Sequence, residues 1–84
     1  SSAAREECRR RILAVVPETA QVNLTAAAAA GLLSPADLAT FKAGLGWIAA
    51  MRAAWGAVAE GGQPVDAADW PVAPAEVVAL GARF

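Results

Sequence analysis

The chain has 84 residues and a formal net charge of −1. That leaves room for one small core and excludes a strongly basic surface that would hold nucleic acid by counterion release. With no His and one Cys, both an intrachain disulfide and a Cys/His zinc site are excluded.

Of the 84 residues 24 are Ala, and Leu, Ile, Val and Phe number only 19. The core must therefore be built largely from small side chains. Residues 4–16 predict a first amphipathic helix, with Ala4, Cys8, Ile12, Val15 and Val16 on one face at helical spacing. Glu6–Arg10 and Glu7–Arg11 are spaced as i,i+4 ion pairs with the acid first, the better orientation. Pro17 drives Val16 out of helical geometry and ends the segment. Residues 18–30 predict a second helix, because Ala26–Ala30 have the highest helix propensity available. Gly31 supplies the left-handed residue just beyond its end.

A dense start signal follows. Ser34 is an N-cap, Pro35 stands at the first helical position, and Asp37 completes a capping-box-like pattern. Leu33 and Leu38 are spaced as a hydrophobic staple. The third helix is expected over 35–60, about 39 Å at 1.5 Å per residue, and the short connection predicts that it forms an antiparallel hairpin with the second. Gly61-Gly62 ends it. Residues 63–73 are expected to be extended or turned, and a last short helix over 74–80 to be closed by Gly81. The fold class is thus all-α: a small bundle of three main helices, an extended Trp-Pro segment and a short fourth helix. The charge-free stretch 19–36 has about the length of a membrane span. It carries Gln21, Asn23, Thr25, Ser34 and Pro35, however, and predicts a soluble helix.

The third helix carries three stripes. Leu38, Phe41, Leu45, Ile48 and Trp55 form one, with Arg52 in the remaining slot. Trp47, Met51, Ala54 and Val58 form an adjoining one. Opposite lies a seam of Ala39, Ala43, Gly46, Ala50, Ala53 and Ala57. Only a strip through Lys42, Ala49, Gly56 and Glu60 is left for water. A helix apolar nearly all round is either central in its domain or covered by a partner. Either the other helices cover it, or the seam receives another protein, most simply a second copy.

No catalytic constellation, cofactor motif or metal site is apparent. Without His there is no Ser-His or Cys-His pair. Cys8, beside Arg9, is read as a buried apolar residue; a reactive thiol is the alternative. Asp66 and Asp69 are spaced either as a carboxylate pair or for turn and cap duty. Arg9-Arg10-Arg11 has no aromatic neighbour for stacking on bases and is read as a solvated face. Charge is polarised, +2 over residues 5–11 and −3 over 60–84, which favours end-to-end contact within the chain or between copies. Trp70 in Trp70-Pro71-Val72-Ala73-Pro74 either packs on the third helix near Trp55 or Met51, or anchors a partner.

The helix Trp47-Ile48-Ala49-Ala50-Met51-Arg52-Ala53-Ala54-Trp55, a Gly/Pro linker, an acidic turn and Trp70-Pro71-Val72-Ala73-Pro74 follow one another. Leu32-Leu33-Ser34-Pro35-Ala36-Asp37 leads into them. Over about residues 18–74 this order resembles the C-terminal region of phage tail fibre assembly proteins (tail fibre chaperones) and related small phage tail proteins. Those carry a W-x-x-Y-x-x-x-L helix, an acidic-Pro segment and a W-P-x-x-P ending. Here Arg52 and Ala stand where an aromatic usually follows Trp47, and the residues beyond Pro74 have no counterpart. The resemblance implies a non-catalytic protein-binding module, located in the bacterial cytoplasm or on the virion. It implies a single helical domain over 1–84 that forms the C-terminal part of a longer chain. Its partner would be a tail fibre or a second copy, with neither nucleic acid nor membrane involved. The residues expected at the contact are Trp47, Met51, Arg52, Trp55, Trp70 and Pro71. The other expectation is a small homo-oligomeric interaction module of a bacterial protein unrelated to phage.

Overall fold

A computed structural model describes residues 2–61 and 70–84, with side chains for 3–56 and 70–84. Among these residues there are four helices and no strand: α1 (Ser2–Val15), α2 (Glu18–Ala29), α3 (Pro35–Gly61) and α4 (Ala75–Arg83). The chain is all-α. The expected carboxylate pair at Asp66 and Asp69, most of the extended segment, and the side chains of Ala57, Val58 and Glu60 lie outside the described residues.

Two local signals operate as read, the stop at Gly31 and the cap at Ser34. Gly31 has φ +71°. Its N–H donates to Ala28 O, and the N–H of Leu32 donates to Ala27 O. These two bonds form a Schellman closure of α2. The Asp37 N–H donates to Ser34 Oγ at 3.1 Å, which caps α3. The Asp37 carboxylate points elsewhere, to a bidentate pair with Arg83 at 2.8 and 3.0 Å. On α1, Glu7 takes both Arg10 and Arg11. The expected Glu6–Arg10 pair is therefore replaced by an i,i+3 pair from Glu7.

Gly81 does not close α4, which continues to Arg83. The residue is buried, and a Cβ built there would lie 2.7 Å from Val15 O. Glycine is present because α4 lies directly against the end of α1, not because the helix stops.

Cys8 meets Met51 and Arg5 meets Trp55, so α1 runs antiparallel to α3 along its C-terminal half. Val77 meets Gly44 and Arg83 meets Asp37, so α4 runs antiparallel to α3 along its N-terminal half. The core accordingly has two parts. Cys8, Ile12, Trp47, Met51 and Trp70 form one, between α1 and α3. Val16, Ala20, Leu24, Val77 and Leu80 form the other, where α2 and the end of α1 close on α4. Met51 is 1% exposed, and burial of a side chain of this size contributes about 1.5–3 kcal/mol. The expected face of α1 is the buried one: Ala4, Cys8, Ile12 and Val16 are inside, with Val15 half-buried between the two clusters.

The connection between α2 and α3 is short, but the two are not a packed hairpin. α2 rests mainly on α4 and touches α3 only marginally. Its alanines have no side chain long enough to bridge to α3, whereas Leu24 reaches Val77 and Leu80 in one cluster.

Candidate functional site

The structure divides the six expected contact residues. Trp47, Met51 and Trp70 are 7, 1 and 9% exposed and pack together. Pro71 is half-buried, and its carbonyl accepts a hydrogen bond from Trp47 Nε1 at 3.1 Å. The Trp-Pro segment is thus a strap across α3: a proline-stiffened backbone needs no strand partner, and the indole N–H satisfies one of its carbonyls. Trp70 packs with Met51 and beside Trp55, as the first of its two readings anticipates. Arg52 is the exposed member, and Trp55, like Pro71, is half-buried.

From Ala39 to Ala53 the seam on α3 is not covered by α1, α2 or α4. Ala39, Ala43, Gly46, Ala50 and Ala53 are all exposed, and a Cβ on Gly46 would meet nothing within 4 Å. The water-facing side of α3 is therefore much wider than the expected strip through Lys42 and Ala49. Beside it, Leu45 is 52% exposed. It edges a shallow apolar groove between α2 and α3 that is lined by Leu24, Phe41, Ile48, Val77 and Leu80. Leu32, in the α2–α3 connection, and Val22, on α2, are also exposed, at 78 and 63%.

A second concavity of about 310 Å³ opens where α1, α3 and the start of α2 converge. Its floor contains Cys8 and Ile12, which are 3 and 8% exposed. Arg5, Arg9 and Arg52 stand around it with Glu18 and Trp55. The Arg5 guanidinium lies 5.3 Å from the Trp55 ring centre. Burial pushes the Cys8 thiol above its ordinary pKa, opposed by the nearby Arg52 charge, and the thiol donates to Met51 O at 3.4 Å. Cys8 is therefore a buried neutral donor. Arg5 and Arg9 were not legible as part of a site. Their i,i+4 spacing puts them on one side of α1, but nothing local shows that Arg52 stands opposite.

Three other arginines are engaged: Arg10 and Arg11 share Glu7, and Arg83 pairs with Asp37. Arg10 beside Glu7 holds that carboxyl below its usual range, and Arg83 does the same to Asp37. Arg11 sits 5.4 Å from the Trp70 ring centre, over the strap. Among the described residues, no group of three His, Cys, Asp or Glu side chains could hold a metal ion. No single described helix is long and apolar enough to cross a membrane. No family model matches the chain, and no curated protein or solved structure is significantly similar to it.

Proposed function

We propose that the chain is a non-catalytic protein-binding module, a small bundle of three main helices with a Trp-Pro strap and a short fourth helix. The observation that carries this reading is the uncovered seam of α3, where Ala39, Ala43, Gly46, Ala50 and Ala53 all face solvent. An apolar helix this long, packed on one side only, offers its small-residue side to another backbone. The resemblance of the Trp47–Trp55 helix and the Trp70-Pro71 segment to tail fibre assembly proteins supplies the setting: phage or prophage tail assembly, as a chaperone or minor tail component, in the host cytoplasm or on the virion. The partner in that setting is a tail fibre. The contact side chains left to a partner are the exposed Arg52 and the half-buried Trp55. The second reading, a homo-oligomeric module unrelated to phage, rests on the same seam with a second copy as its occupant.

Ala50→Leu tests the reading. In the isolated chain the added carbons enter solvent, and the stability should stay within about 0.5 kcal/mol of wild type. Mass by light scattering is then measured for the chain alone and after co-expression with a tail fibre fragment. A fibre complex that Ala50→Leu abolishes supports the first reading. Self-association that Ala50→Leu abolishes supports the second. Assembly in either form that is indifferent to Ala50→Leu removes the seam from the argument.

A further inference from the structure

We infer that the cleft between α1 and α3 is a binding site for a small organic oxyanion with an apolar body, an aryl carboxylate or aryl phosphate. The inference is separate from the α3 seam and does not depend on it. Arg5, Arg9 and Arg52 surround the cleft, and the ion pairs formed among the described residues involve Arg10, Arg11 and Arg83 instead. Arg5 and Arg9 are i,i+4 like charges, which repel weakly on a helix, and an anion between them would relieve that repulsion. Glu18 is the acid on the rim, so the lining carries a net charge of +2. Planar guanidinium forks match the oxygens of a carboxylate or phosphate.

Beneath the charges the floor is apolar, with Cys8 and Ile12 at its base and Trp55 as an aromatic wall. A hydrated inorganic ion gains nothing from that floor; an aromatic ring does. The volume, about 310 Å³, is at the lower end for small-molecule sites, roughly 300–1,000 Å³. α2 also begins at this cleft, with Glu18 and Gln21 on its wall, and the start of a helix favours negative charge. The ligand's oxygens thus meet the three arginines while its ring rests on Ile12 beside Trp55, whose ring face Arg5 covers.

The test is a titration of the intact chain with phenyl phosphate at low salt, followed by amide and indole NMR shifts. Inorganic phosphate and benzyl alcohol are titrated in parallel. Phenyl phosphate should shift the Trp55 indole and the amides around Cys8 and Ile12 saturably, and should bind more tightly than either fragment. Losing one charged hydrogen bond in Arg52→Gln or Arg9→Gln should weaken it about fivefold or more. Glu18→Gln should strengthen it, and Arg10→Gln, outside the cleft, should leave it unchanged. These arginines are exposed, so their variants keep the fold, which the unligated spectrum checks. No saturable shift at Trp55, equal affinity for inorganic phosphate, or indifference to Arg52→Gln and Arg9→Gln overturns the assignment.

Discussion

At Gly81 the presence of hydrogen in place of a methyl group decides how two helices meet. A Cβ there would lie 2.7 Å from Val15 O, a backbone atom that cannot swing aside. Gly81→Ala should therefore destabilise by about 1–3 kcal/mol, the usual cost of overpacking, read as a lower urea midpoint. Gly46 is the counter-example, with nothing within 4 Å of its Cβ position. Gly46→Ala should stabilise the isolated chain by up to about 1 kcal/mol through helix propensity alone. From sequence the two glycines look alike, and Gly81 even imitates a helix stop after Leu80. What distinguishes them is a neighbour far away in the chain, which no local pattern encodes.

The helices themselves were legible wherever a few adjacent residues suffice to form them. The Schellman closure at Gly31 and the Ser34 cap each involve groups within one or two turns. Ser34→Ala should lower stability by about 0.5–2 kcal/mol; an unchanged denaturant midpoint would show that the cap carries no weight. The orientation of α3 was less legible. Apolar side chains run nearly all round it, so periodicity alone does not say which side goes inward. α1, α4 and the strap make that choice: Gly44, Trp47 and Met51 go in, whereas Leu45 and the Ala/Gly seam stay out. That choice also divided the expected site. The large aromatic residues that suggest a contact surface in sequence are the ones a small, alanine-rich core most needs for itself. Arg52 reaches the surface because it lies off that buried face.

Across the whole molecule, one exposed ion pair ties the start of α3 to the end of α4. Asp37 in the first turn of α3 and Arg83 in the last turn of α4 also complement their helix dipoles. The Arg83 guanidinium holds the Asp37 carboxyl below its usual range. Because the folded pKa is depressed, the stabilisation is fully present above the unfolded value of about 3.9. It is lost as pH falls through the lower folded value. The difference in thermal midpoint between wild type and Asp37→Asn should thus be largest near neutral pH and vanish in strong acid. Added salt should shrink it at neutral pH, since the pair is open to solvent. A difference that persists unchanged into acid would mean that Asp37 acts through something other than its charge.

The dependence of α2 on α4 has a consequence for the order of events during synthesis. α2 is synthesised well before the side chains it packs against, Val77 and Leu80. Until residues 75–83 emerge, Leu24 and Val16 have no complete surface to close on, and α3 lacks its cover at Gly44. The nascent chain thus passes through a stage in which α1 and α3 can pair while α2 hangs undocked with its apolar side open. α4 then supplies the surface on which α2 and the N-terminal half of α3 close.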